Sequence, residues 1–182
     1  MFLTDKLHKA IIFAGSKHTN QKRKGTELPY LVHPMEVMAI LIANNCTENV
    51  IIAGILHDTL EDTDTTPEEI KNAFGADILA IVQTESEDKS KTWKERKQHT
   101  VDLLPDDSLE TQLVCCADKL SNIKSIYADK CTIGEKIWDR FNAPKENIKW
   151  YYESIAENLT KIKDYPMWAE LNETIKKAFE GI

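Results

Sequence analysis

Residues 51–63 read IIAGILHDTLEDT, an apolar run that ends in a group of polar side chains able to bind a metal. The apolar part predicts a buried helix. His57 and Asp58 follow it directly, and Glu61 and Asp62 lie about one helical turn further along. Polar groups at the end of a buried helix need partners. The segment therefore predicts a functional site at the end of a central helix.

Two other segments carry side chains of matching chemistry. YLVHP at residues 30–34 contains His33, and CCADKLSNI at residues 115–123 contains Asp118. Together with the His57-Asp58 pair they supply two imidazoles and two carboxylates. Such a mixed nitrogen and oxygen set suits a divalent first-row metal such as manganese or iron. We predict one divalent metal ion, held by four ligands: His33, His57, Asp58 and Asp118.

The remaining carboxylates of the first segment, Glu61 and Asp62, are the predicted catalytic residues. A metal that polarises water, with an unligated carboxylate one turn away, is the combination that hydrolysis requires. His8, His18 and His99 have no matching carboxylate neighbour in the sequence. We therefore predict that these three are not ligands.

Helical periodicity dominates the chain, and no alternating strand pattern appears, so an all-α fold is predicted. The spacing of Thr66 and Glu69 predicts a capping box, and Gly75 a helix end. No linker is long enough to divide residues 1–182, which predicts one domain. The predicted helices are 3–18, 34–45, 47–60, 67–74, 76–86, 92–104, 108–127, 134–139, 144–163 and 167–180.

The composition excludes several classes of protein. A length of 182 residues with 42% hydrophobic residues suits one globular domain, and a net charge of −7 argues against a nucleic-acid surface. No apolar run is long enough to span a membrane or to form a signal peptide core. The four cysteines lack CxxC spacing, and Cys115 and Cys116 are expected to be buried free thiols. These features predict a protein of the reducing cytoplasm.

Three longer strings carry a resemblance to a known family: RKGTELPYLVHPMEV at residues 23–37, AGILHDTLEDTDTTPEEIKNAFG at 53–75 and ADKLSNI at 117–123. They resemble the HD-domain metal-dependent phosphohydrolases. Within that family they are similar to the (p)ppGpp hydrolase branch, and especially to stand-alone small alarmone hydrolases of the metazoan SpoT homolog type. The resemblance covers residues 5–125. It implies a single HD-domain helical bundle, with the C-terminal helices of 134–180 packed against it.

The resemblance also implies an activity and substrate contacts. The expected reaction is manganese-dependent hydrolysis of the 3′-pyrophosphate of guanosine alarmones, giving GDP or GTP and pyrophosphate. Arg23 and Lys24 fall on the RK positions of the family motif and are expected to contact phosphate or nucleotide. Lys119 and Asn122 belong to a segment with which the family closes over its nucleotide, and are expected to contact the substrate as well.

Two alternatives remain open at the level of sequence. The chain could hydrolyse another nucleotide, such as the 2′-phosphate of NADPH or a nucleoside monophosphate. It could also be a nucleotide-binding sensor with little turnover. An intact Glu61-Asp62 pair argues against the sensor, because a protein that only binds nucleotide has no need of spare carboxylates beside its metal.

Overall fold

The computed structural model describes residues 4–84 and 90–180, and the regular secondary structure within these ranges is helical, as predicted. The only strand-like feature there is an isolated antiparallel bridge between Lys22 and Pro29. The helices are α1 (Asp5–Lys17), α2 (Val32–Ala43), α3 (Glu48–Leu56), α4 (Thr59–Asp62), α5 (Pro67–Phe74), α6 (Ala76–Thr84), α7 (Trp93–Leu103), α8 (Leu109–Ile133), α9 (Lys145–Asn158) and α10 (Pro166–Phe179), with a 3₁₀ helix at Gly134–Arg140.

Helix α3 lies at the centre of the fold, because every residue from Val50 to Leu56 is buried. Helix α2 packs closely against it at Gly54. A Cβ atom at Gly54 would lie 2.4 Å from Leu41 Cδ1 and 3.1 Å from Val37 Cγ1, both on α2. The absence of a side chain at this position therefore allows the two helices to approach. Because α2 carries His33 and α3 leads into His57, this contact sets how close the two imidazoles lie.

The long helix α8 completes the centre and connects it to the C-terminal part of the chain. Most of its residues between Thr111 and Ile126 are buried, including Asp118. Near its end the ammonium group of Lys130 is buried and donates to the carbonyl oxygens of Ala178 and Glu180, at 2.9 and 2.6 Å. These bonds satisfy carbonyl groups at the end of α10, which have no partner within that helix. Helix α10 is thereby held against α8.

Local signals predicted some helix boundaries well. Helix α5 has the predicted bounds, and both hydrogen bonds of the capping box between Thr66 and Glu69 are present. Gly75 follows with a φ of 99°, a conformation that suits glycine. The predicted helix 76–86 begins at Ala76, and its last two positions lie outside the described residues.

Other boundaries differ from the prediction. The predicted helix 47–60 is two helices, because His57 and Asp58 form a turn between α3 and α4. The side chains of His57 and Thr59 bond to the carbonyl oxygens of Gly54 and Leu56, which competes with continued helical bonding. Helix α8 runs six residues beyond the predicted end at 127 and stops at Gly134, whose φ is 65°.

None of the helices within residues 4–84 and 90–180 is both long enough and apolar enough to cross a membrane. Cys115 and Cys116 are buried free thiols, as predicted.

Candidate metal centre and active site

His33 lies in the first turn of α2 and faces both predicted aspartate ligands. Its side chain is 1% exposed. The Nε2 atom lies 3.0 Å from Asp118 Oδ1 and 3.5 Å from Asp58 Oδ2. Burial lowers the pKa of His33, which favours the neutral imidazole that a metal requires.

His57 lies at the end of α3 and turns its Nε2 atom toward the same two carboxylates. That atom is 2.9 Å from Asp58 Oδ2 and 3.7 Å from Asp118 Oδ1. On the other side of the ring, Nδ1 lies 2.8 Å from the carbonyl oxygen of Gly54. A carbonyl only accepts, so Nδ1 carries the hydrogen and the neutral ring has its lone pair on Nε2. This buried Nε2 atom has no hydrogen-bond partner of good geometry.

The electrostatic field at this point favours a cation. Burial acts to lower the pKa of His57, but the charges of Asp58 and Asp118 outweigh it and hold that pKa well above its ordinary value. Burial likewise acts to raise the pKa of Asp118, yet the Lys119 ammonium and the imidazoles hold it well below its usual range. The two carboxylates therefore stay ionised and attract positive charge to the Nε2 atoms.

These donors suit a divalent metal ion. One ligand atom each from His33, His57 and Asp58 can be chosen so that all lie within 4.8 Å of one another. No other group of this kind occurs in the ranges 4–84 and 90–180. Asp118 Oδ1 approaches both imidazoles from α8, so the residues present can supply two nitrogen and two oxygen ligands, a set appropriate to manganese, iron or a similar ion.

Neighbouring side chains hold the two carboxylates in place. The Tyr30 hydroxyl donates to Asp58 Oδ2 at 2.6 Å, and burial together with that negative charge raises the pKa of Tyr30, so it remains a donor. Asn122 Nδ2 donates to Asp118 Oδ1 at 2.5 Å, and Lys119 forms an ion pair with Asp118 Oδ2. Such partners orient metal ligands.

A cavity of about 430 Å³ adjoins the metal centre through Tyr30 and Asn122. Arg23, a predicted substrate contact, projects into it, and its guanidinium group donates to Asn122 Oδ1 at 2.9 Å. The predicted contact Lys24 lines the cavity as well. The cavity wall combines apolar, basic and acidic side chains: Arg23, Lys24, Thr26, Leu28, Tyr30, Val32, Glu36, Asn122, Ser125, Ile126, Ala128, Asp129, Ile137, Arg140, Phe141 and Tyr152.

Lys119, the fourth predicted substrate contact, does not line this cavity. Its ammonium group pairs with Asp118 and lies 5.9 Å from the centre of the Tyr151 ring. The structure therefore places Lys119 beside the candidate metal centre and outside the wall of this cavity.

The predicted catalytic residues lie on α4, immediately after the ligand pair. Glu61 is half-buried and Asp62 is exposed. The segment is held from the loop that precedes α2: Gln21 Nε2 donates to the carbonyl oxygen of Asp62 at 2.5 Å. The Nδ1 atom of the buried His18 ring lies 2.7 Å from Oε1 of Gln21, the oxygen of the same amide group. This contact gives His18 a role in packing. His18 belongs to no group of possible metal ligands in the described part of the chain.

Sequence reasoning missed three side chains that organise this site: Gln21, Tyr30 and Ser121. The Ser121 hydroxyl lies 2.9 Å from His33 Nδ1. Each of the three is separated from its partner by 28 to 88 positions along the chain. The signal available for Ser121 was its position three residues after Asp118, which places both on the same face of α8. Tyr30 lies in the turn that precedes α2, where helical spacing gives no such signal.

Several known proteins are similar to this chain in sequence. A model of the HD domain family matches residues 10–138. The zebrafish (Danio rerio) guanosine-3′,5′-bis(diphosphate) 3′-pyrophosphohydrolase MESH1 is 43% identical over 129 residues, which are 69% of this chain and 71% of that protein. The mouse (Mus musculus) protein of the same name is 33% identical over 177 residues, 96% of this chain and 93% of the relative.

Two solved structures share the fold. One is described as a metazoan ortholog of SpoT that hydrolyzes ppGpp. It superposes with a TM-score of 0.79 at 27% identity and covers 97% of both chains. The other, lmo0812 from Listeria monocytogenes, has a TM-score of 0.76 at 31% identity and covers 82% of this chain and 99% of its own. The family match extends over more than half of the chain, and the helices bring histidines and aspartates together. This chain therefore belongs to the HD domain family.

Proposed function

We propose that this protein is a metal-dependent phosphohydrolase that removes the 3′-pyrophosphate of guanosine alarmones, (p)ppGpp, and releases GDP or GTP. Manganese is the proposed metal, and His33, His57, Asp58 and Asp118 are its proposed ligands. The named activity of the zebrafish and mouse relatives supports the substrate, and the mouse relative matches over 96% of this chain.

The observation that carries the proposal is the contact between the cavity and the metal centre. Tyr30 and Asn122 line the cavity and also donate to the ligands Asp58 and Asp118. Arg23 and Lys24 bring positive charge to the same wall, although the chain as a whole carries a net charge of −7. A polyphosphorylated small molecule would find cationic contacts next to the metal position, while the acidic exterior would repel other polyanions.

The cavity wall also suits the nucleoside part of the substrate. The Arg23 guanidinium is already oriented by its bond to Asn122 and by the Tyr30 ring, whose centre lies 5.8 Å away. The Lys24 ammonium lies 5.7 Å from the centre of the Phe141 ring. Aromatic and apolar wall residues can contact a base and ribose, while the two cations face phosphate oxygens.

In the proposed reaction, a water oxygen forms a bond to the phosphorus attached to the 3′ oxygen, and the bond between that phosphorus and the 3′ oxygen breaks. Pyrophosphate is released, and the 3′ oxygen takes up the proton that the attacking water has given up and ends as a hydroxyl. When bound, a divalent metal supplies Lewis-acid activation of water and neutralises charge on the phosphoryl group. Glu61 and Asp62 orient the attacking water and take its proton. Arg23 and Lys24 hold the phosphates.

The test is a turnover assay with purified protein, ppGpp and added Mn²⁺. We expect equimolar GDP and pyrophosphate, measured by anion-exchange chromatography and a coupled pyrophosphate assay, and no turnover after treatment with EDTA. NADPH and GMP are run in parallel, with orthophosphate as the readout. Release of orthophosphate from either of these, with ppGpp left intact, would overturn the proposed substrate.

Arg23→Ala is expected to raise KM for ppGpp by roughly 10- to 100-fold, the equivalent of one charge-assisted hydrogen bond, and to leave kcat much less affected. The physical reason is that a phosphate contact made equally in the ground and transition states contributes to binding alone. Lys22→Ala is the matched control, because that neighbouring side chain is exposed and pairs with Glu27. Equal KM values for the two variants would remove Arg23 from the proposed substrate site.

A further inference from the structure

Both nitrogen atoms of the His33 imidazole face side chains of α8. Asp118 Oδ1 lies 3.0 Å from Nε2, and Ser121 Oγ lies 2.9 Å from Nδ1. Asp118 and Ser121 are three residues apart on α8, so both point from the same helical face toward the ring. His33 and Ser121 are each 1% exposed, and this contact is therefore protected from competing water.

A second contact of Ser121 determines the direction of the hydrogen bond to His33. The Ser121 hydroxyl donates to Glu36 Oε2 at 2.7 Å. A carboxylate only accepts, and a hydroxyl has only one hydrogen to give. Ser121 Oγ must therefore accept from Nδ1–H of His33. The neutral imidazole then has its lone pair on Nε2, the atom that faces Asp58 and Asp118.

We propose that Ser121, oriented by Glu36, is a positioning residue for metal binding, which holds His33 in the tautomer and ring orientation that present Nε2 to the ion. This proposal rests on the proposed function only in taking His33 as a metal ligand. Glu36 lies one turn after His33 on α2, so the two contacts also connect α2 to α8 beside the site. Its side chain is exposed and lines the cavity, in contrast to the buried serine.

His57 offers a comparison within the same site. Its Nδ1 atom is held by a backbone carbonyl, that of Gly54, which no side-chain substitution removes. His33 has no backbone carbonyl in that role and depends on the Ser121 hydroxyl. A hydroxyl can reverse its hydrogen bond, whereas a carbonyl cannot. The carboxylate of Glu36 is the group that prevents this reversal.

The experiment measures the affinity for Mn²⁺ alone, by competition with a fluorescent chelator, so that substrate turnover does not enter the readout. Ser121→Ala is expected to weaken Mn²⁺ binding about 10- to 100-fold, the usual effect of losing a residue that orients a metal ligand. Ser154→Ala, which changes a half-buried serine on α9 outside the contacts with His33 and outside the cavity, is the matched control and should bind Mn²⁺ like the wild type. Wild-type affinity in Ser121→Ala would overturn the proposal.

Glu36→Ala provides an independent readout, because its exposed side chain can be removed with little risk to folding. With the carboxylate gone, the Ser121 hydroxyl is free to donate to Nδ1. In metal-free protein labelled with ¹⁵N-histidine, we expect the NMR signals of His33 to shift from the Nδ1–H form toward the Nε2–H form. If Ser121→Ala fails to fold, this variant decides the question: an unchanged His33 tautomer with unchanged Mn²⁺ affinity would refute the proposal.

Discussion

His57→Ala and Asp118→Ala are each expected to abolish stoichiometric metal binding and to reduce hydrolysis to background, while the helical fold persists. Each substitution removes one of four converging donors from a buried position. The methyl group of the alanine cannot bind a metal. Metal content is measured by elemental analysis of the purified protein, and helix content by circular dichroism.

The control for this experiment is His8→Ala, which removes an exposed imidazole on α1 that belongs to no group of possible ligands in the described ranges. It should keep full metal content and turnover. Full metal content in His57→Ala or Asp118→Ala would count decisively against the proposed ligand set.

Glu61→Gln is expected to retain metal and substrate affinity but to lose about 10²- to 10⁴-fold in kcat, the usual contribution of general-base assistance. The substitution preserves the shape of the side chain and one acceptor oxygen, but removes the carboxylate that would accept the proton of the attacking water. Steady-state kinetics with ppGpp and Mn²⁺, together with the metal content of the variant, separate chemistry from binding.

Glu68→Gln is the matched control, because Glu68 is an exposed glutamate in the first turn of α5, outside the site. Its kinetics should equal those of the wild type. A Glu61→Gln enzyme with normal kcat, or one that has lost its metal, would contradict the proposed role of Glu61.

The sequence predicted best those parts of the fold that depend on local interactions. The bounds of α5 follow from a capping box, a proline and a glycine within ten residues, and the structure has the same bounds. The division between α3 and α4 was missed, because hydrophobic periodicity continues through Leu56 and Leu60. The competing bonds come from the side chains of His57 and Thr59, which the periodicity does not reveal.

The helices predicted for the C-terminal part are present, but some of their bounds differ from the prediction. Helix α8 continues to Ile133, and Lys130 near its end is buried against α10 and bonds to carbonyl groups at the end of that helix. A lysine ordinarily favours the surface, so its local sequence gives no sign of this arrangement. The predicted helix at 134–139 is a 3₁₀ helix over Gly134–Arg140.

The sequence by itself determined the helical class and the family, and it predicted the types of side chain in the site. These depend on short motifs and on the regular spacing of apolar residues. The sequence could not determine which groups hold those side chains. Tyr30, Gln21 and Ser121 act on partners far away along the chain, and such distances close only when apolar helices pack. The approach of α2 to α3 at Gly54 and of α8 to both is therefore what brings the four proposed ligands together.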